Sequence, residues 1–140
     1  MAEQFDYVIV GAGTAGCVLA NRLTACGKYT VCLLEAGPPD WNPMIHIPAG
    51  FMKTIANPSV NWLYQSEPCP GTNGRTIPMP RGKVIGGSSS INGLIFNRGQ
   101  KMDFDVWAQK GNRGWSYDDV LPYFRRYESH EDSPDANYRG

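Results

Sequence analysis

Charge of one sign accumulates nowhere in this chain. Thirteen basic and thirteen acidic residues cancel over 140 positions. That balance excludes the electrostatic footprint of a nucleic-acid binder or of a ligand for anionic membranes. Long apolar runs are also missing, since none reaches the roughly 20 residues that a spanning helix needs. Met1-Ala2-Glu3-Gln4 lacks the basic start of a signal segment. Cys17, Cys26, Cys32 and Cys69 show no C-x-x-C or metal-ligand spacing. They read as small hydrophobes of a reducing compartment, three of them on elements expected to be buried. H-E-x-x-H, a G-x-S-x-G nucleophile turn and internal repeats do not occur. His46 lies among prolines and His130 in a polar tail, and neither has a neighbour that would make it a general base. The expectation is a cytoplasmic protein with no metal site and no catalytic residue within these 140 positions.

What is present begins at residue 7. Tyr7 to Val10 is a short apolar run rich in β-branched residues and reads as a buried strand. It leads into Gly11, Gly13 and Gly16, the G-x-G-x-x-G spacing. The glycines allow a tight turn, close backbone approach to a pyrophosphate, and close helix–strand packing. A helix follows, with Ala15, Val18, Leu19, Arg22 and Leu23 on one face. Its N-terminus would aim free N–H groups at phosphates. A second strand, Thr30 to Leu34, ends in Glu35, about 20 residues past Gly16, where a dinucleotide fold places its ribose-binding carboxylate. A carboxylate there repels a 2′-phosphate, which disfavours NADP. The motif does not separate FAD from NAD, and a βαβ unit that binds nothing is the plain alternative.

Sixteen glycines and eleven prolines, most of them between Gly37 and Gly114, make the middle region loop-rich. Pro43 and Pro48 argue against a regular element over Trp41 to Ile47. Ala49 to Ala56 suits one or two helical turns, ended by Asn57-Pro58. Val60 to Ser66 alternates in part, as a strand would, and Asn73-Gly74 suggests a hairpin whose prolines 78 and 80 demand an edge position. The run from Arg81 to Gly99 is dense in glycine and hydroxyls, which supply N–H groups and side-chain donors to a ligand. Its flanks, Val84-Ile85 and Leu94-Ile95-Phe96, call for burial. Two helices follow. The first covers Met102 to Lys110. The second is capped by Ser116 with Asp119, presents Val120, Leu121, Phe124 and Tyr127 on one face, and contains Pro122 as a kink or first-turn limit. Glu128 to Gly140 reads as a polar surface loop.

Three stretches together carry a family resemblance. They are Tyr7 to Cys17 with Leu33-Leu34-Glu35-Ala36-Gly37; Gly82 to Asn92 with Phe96, Gly99 and Asp105; and Gly114-Trp115-Ser116-Tyr117 with Val120 to Phe124. On these the chain resembles the N-terminal portion of the GMC (glucose–methanol–choline) oxidoreductases, which are FAD-dependent. The resemblance implies an α/β fold: a Rossmann-like FAD-binding βαβ unit (1–37), a loop-rich flavin-contacting segment (38–100), two helices (101–128) and a cut-off tail (129–140), together an incomplete domain. It also implies FAD rather than NAD. Gly11, Gly13, Thr14, Ala15 and Gly16 would surround the pyrophosphate, and Glu35 with Ala36 the adenosine ribose. Arg81, Val84, Gly87 and Ser88 would approach the flavin, and Asn92, Gly93, Leu94 and Ile95 would run along the isoalloxazine. Trp62 and Phe96 stay open between flavin-facing and core. Some members attach FAD through a histidine at the position held here by Ile91, so non-covalent FAD is expected.

Members oxidise an alcohol by hydride transfer to flavin N5, assisted by a histidine near the C-terminus of a much longer chain. The implied parent is thus an alcohol oxidoreductase, with the electron acceptor open and this piece alone inactive. A non-catalytic dinucleotide-binding module, or a non-redox relative such as a lyase or photoenzyme, are the alternatives.

Overall fold

A computed structural model describes residues 3–129, 131 and 137–140. Two compact units divide the chain, residues 1–95 and 96–140. His130 lies outside the described residues.

The first unit opens with β1 (Tyr7–Val10), α1 (Thr14–Thr24) and β2 (Val31–Leu34). β1 and β2 pair in parallel, Tyr7 against Val31 through Val10 against Leu34. This is the βαβ start of a Rossmann-type arrangement, as the glycine spacing requires. The strands are not buried as expected: Val8 and Val10 stand exposed. Two parallel strands and one helix leave a sheet face uncovered. The inward face of α1 also differs from the expected one. Gly16 is buried, Cys17, Ala20 and Leu23 are half-buried, and Val18 and Leu19 point outward. The reason is steric, since a Cβ on Gly16 would lie 2.0 Å from the Gly11 carbonyl oxygen. Only the small-residue face can sit that close. Of the cysteines, Cys17 and Cys32 are half-buried but Cys26 and Cys69 are exposed, and all four are free thiols.

The loop-rich segment contains more order than its prolines suggest. Pro43 opens a short helix, α2 (Pro43–His46), capped by the Asn42 side chain, which accepts from the Met44 N–H at 3.0 Å. Proline is tolerated at the first helical position because its missing N–H would be unpaired there anyway. Pro48 likewise opens a 3₁₀ turn that leads into α3 (Phe51–Thr54). The hairpin forms between β3 (Tyr64–Gln65) and β4 (Pro78–Met79), with Asn73 and Gly74 left-handed in its loop. The strand expected over Val60 to Ser66 shrinks to two residues because Leu63 is itself left-handed, with φ 55°.

The core of this unit lies here rather than under the sheet. Val60, Val84 and Ile91 are buried together with Ile45 packed on them. Two members of the glycine-rich run therefore anchor it. The apolar flank Leu94-Ile95 stays exposed, against expectation.

The second unit holds α4 (Lys101–Gln109) and α5 (Tyr117–Tyr127). Phe96, which also called for burial, is exposed here and meets Tyr127 edge to face. The Ser116–Asp119 capping box is present, with the Asp119 N–H reaching Ser116 Oγ at 3.3 Å and the Ser116 N–H reaching Asp119 Oδ2 at 3.2 Å. α5 continues through Pro122 to Tyr127. Phe104 packs against Trp107, Tyr117 and Phe124. Glu128, expected in a surface tail, is instead buried between Arg98 and Arg139.

Candidate cofactor-binding cleft

The turn after β1 and the run after β4 meet. The Gly86 N–H donates to the Ala12 carbonyl at 2.7 Å, and Gly13 and Gly86 form an isolated parallel bridge. Gly87 lies so near that a Cβ on it would come within 2.8 Å of Gly13 Cα, and its φ of 58° is left-handed besides. Gly82 faces the same constraint, with a Cβ meeting the Gly87 backbone at 2.2 Å. Two glycine-rich segments far apart in sequence thus share one backbone surface. Side chains there would collide with the facing backbone and force the two segments apart.

This surface walls a cleft of about 790 Å³, lined by the Gly11–Gly16 turn, Leu34 to Ala36, Trp62, Arg81-Gly82 and Gly87-Ser88. α1 begins in the cleft. It has no side-chain N-cap and no acidic residue in its first turn. Its leading N–H groups and positive dipole end therefore remain available to an anion. Opposite charge is placed at Glu35. Its Oε2 accepts the Ala12 N–H at 2.7 Å and its Oε1 the Gly37 N–H at 2.9 Å. A carboxylate has about four acceptor sites, so two backbone bonds fix its orientation and leave capacity for two hydroxyls. Arg81 supplies the cleft's cation and reaches Ser88 Oγ at 3.4 Å. A surface with anion-binding N–H groups at one point and a hydroxyl acceptor at another fits a ribose–pyrophosphate group.

Residues 5–134 match the family model described as GMC oxidoreductase. The chain is 49% identical over 137 residues to an oxygen-dependent choline dehydrogenase of Rhizobium rhizogenes, covering 98% of this chain and 25% of that protein. It is 46% identical over 140 residues to the protein of the same description from Photobacterium profundum, covering 100% of this chain and 24% of the relative. Among solved structures, it is similar to pyridoxine 4-oxidase from Mesorbium loti, at 38% identity and a TM-score of 0.86, over 98% of this chain and 27% of that one. The chain belongs to the GMC oxidoreductase family. It spans about a quarter of the length of the relatives it matches.

The GMC chain brings ten of the residues singled out from sequence to one cleft: Gly11, Gly13, Thr14, Ala15, Gly16, Glu35, Ala36, Arg81, Gly87 and Ser88. Val84 is not among the lining residues, because its side chain is in the core. Asn92 and Leu94 border a separate small cavity beside α2 and α3. Gly93 and Ile95 are exposed and are not among the residues lining the cleft. Leu94 is left-handed at φ 60°, and its N–H is held by Asn92 Oδ1 at 2.9 Å.

Trp62, open on sequence alone between flavin-facing and core, stands in the cleft wall. Its indole stacks on Tyr64 at 5.8 Å and lies under the Lys83 ammonium at 4.7 Å. Gly82, in the Gly82–Asn92 stretch, lines the cleft as well. His46 lies away from the cleft, its Nε2 against the Asp40 carbonyl at 2.7 Å. No helix among the described residues is long and apolar enough to cross a membrane.

Proposed function

We propose that this chain is the FAD-binding part of a GMC flavoenzyme that oxidises a primary alcohol to an aldehyde. The observation that carries the cofactor reading is the Gly86–Ala12 hydrogen bond, which joins the two glycine-rich segments on one cleft. Bound there, FAD would supply the hydride acceptor for the alcohol carbon. The chain's own residues bind and orient. The α1 N-terminus and the Gly11–Gly16 turn hold the pyrophosphate, Glu35 holds the adenosine ribose, and Arg81 approaches the flavin. Asn92 to Ile95 are exposed outside the cleft and would meet the flavin only where it extends past it. Among the described residues no histidine lines the cleft; by the family resemblance, the alcohol proton is taken by a histidine outside these 140 residues. Relatives described as choline dehydrogenases support an alcohol substrate. The cysteine spacing, with no C-x-x-C pair, favours a reducing, cytoplasmic setting.

The test has two steps. FAD is titrated into the purified apoprotein and followed by flavin absorbance and tryptophan quenching; saturable binding of FAD but not NADP is expected. Failure to saturate overturns the cofactor reading. The FAD-loaded full-length protein is then mixed anaerobically with primary alcohols. Bleaching of the flavin supports oxidation, while FAD binding without bleaching by any alcohol returns the protein to a binding module or a non-redox relative.

A further inference from the structure

Asn61 is 2% exposed, and both its side-chain oxygen and its side-chain nitrogen are hydrogen-bonded. Its Oδ1 accepts the Leu63 N–H at 2.9 Å and the Arg81 N–H at 3.0 Å, and its Nδ2 donates to the Ile55 carbonyl at 2.6 Å. The backbone on either side is tied the same way: Asn61 bridges Gly82, and the Trp62 N–H donates to the Arg81 carbonyl at 2.9 Å. Trp62 and Arg81 both line the cofactor cleft. We propose that Asn61 is a positioning residue for the cofactor, setting through its buried carboxamide where Trp62 and Arg81 stand. This rests on the cleft being the FAD site.

The chemistry of the position favours this role over mere filling. A buried amide is tolerated only when all its groups are paired, and its partners are then fixed in direction. Leu63 is held in a left-handed conformation, which a bulky residue adopts only when its surroundings impose it. The imposing contact is Asn61 Oδ1. That turn places Trp62 nearly parallel to Tyr64, with 6° between the rings. An apolar side chain at residue 61 would release Leu63 and strand the Arg81 N–H without a partner. An aspartate would keep the acceptor for both N–H groups but set its second oxygen against the Ile55 carbonyl oxygen, which costs stability unless that carboxyl is protonated.

The experiment measures FAD dissociation constants of the apoprotein and its N61L, N61D, R81A and W62F variants, well below each unfolding transition, with the denaturation midpoint recorded in parallel. N61L is expected to bind FAD about tenfold or more weakly, as for an unpaired buried donor. N61D is expected to stay within about threefold of the parent, since it keeps the acceptor contacts. Both lose thermal stability. A purely structural Asn61 lowers both midpoints and leaves FAD affinity unchanged in folded N61L, which overturns the proposal. If N61L does not fold, N61D decides: affinity as poor as that of R81A overturns it. If R81A and W62F both bind FAD like the parent, the cleft reading itself has failed.

Discussion

Gly86 donates its backbone N–H to the carbonyl of Ala12 across 74 residues of sequence, at 2.7 Å. The same carbonyl accepts the Cys17 thiol at 3.2 Å. Ala12 is therefore the knot between the turn after β1 and the run after β4, and its own N–H is held by Glu35.

The closeness of the two segments makes Gly87 intolerant of any side chain. In G87A the new Cβ would press on Gly13 Cα at 2.8 Å and hold a left-handed φ. Overpacking of this kind costs about 1–3 kcal/mol. The expected result is a lower unfolding midpoint and FAD binding weakened at least about tenfold, read by flavin titration. Gly27 is the control. It is also left-handed, but a Cβ there meets nothing within 4 Å. G27A should carry only backbone strain and leave FAD affinity alone. Equal losses in the two variants would show that backbone strain, not contact, is responsible.

Glu35→Gln tests the carboxylate. Both Glu35 oxygens accept a backbone N–H, from Ala12 and from Gly37. Glutamine has one carbonyl oxygen, so its NH₂ would face a donor. An unpaired part-buried donor costs about 1–3 kcal/mol, or roughly ten- to hundredfold in FAD affinity. Isothermal titration gives the constant, and parent-like affinity in E35Q would remove Glu35 from the ribose role.

Much of this was legible in the sequence because backbone constraints select residue types directly. Gly16, Gly82 and Gly87 stand where a Cβ would collide with backbone. The Ser116 cap is equally local. The failures came from tertiary packing. Helical periodicity could not say which face of α1 meets the strands, because Gly16 and Cys17 carry a weak apolar signal beside Val18 and Leu19. Proline by itself reads as a breaker, yet Pro43 serves as a first helical residue. Burial of Glu128 required knowing that Arg98 lay within reach.

Ile91 bears on how FAD is attached. It is 3% exposed and packed with Val60 and Val84, so this position offers neither a nucleophilic nitrogen nor a side chain facing the cleft. FAD is expected to leave the protein on acid precipitation. Yellow colour retained in the pellet would overturn this.

Asp6 gives a pH-dependent contact at the start of the βαβ unit. Its Oδ2 accepts the Thr30 N–H at 2.7 Å and the Thr30 hydroxyl at 2.8 Å. The backbone bond first, and the hydroxyl second, hold the Asp6 carboxyl below its ordinary 3.8. A lowered folded pKa means the contact is fully present above 3.8 and lost as pH falls through the depressed value. T30V should raise the Asp6 pKa part of the way back, because the N–H bond remains. Carboxyl chemical shifts against pH measure both, and an identical Asp6 titration in the two proteins would refute the assignment.

The last test concerns the second unit alone. Arg98 and Glu128 form an ion pair with side chains only 3% and 7% exposed. The Arg98 guanidinium lies 5.3 Å from the Phe124 ring and 4.5 Å from that of Tyr138, and donates to the Tyr138 carbonyl at 2.6 Å. The other Glu128 oxygen takes Arg139 at 2.7 Å. Taking two charges out of water is costly, so such a pair need not add stability compared with apolar residues. Removing one partner is different, because it leaves an uncompensated charge and costs about 3–5 kcal/mol. E128M, which leaves the buried Arg98 guanidinium without a carboxylate, should therefore be strongly destabilising, and R98M less so because Glu128 keeps Arg139. R98M/E128M should be less destabilised than the sum of the two single methionine variants, although Arg139 then loses its carboxylate. Denaturant unfolding followed by Trp107 and Trp115 emission gives the three differences, and strict additivity would show that Arg98 and Glu128 do not act as a pair.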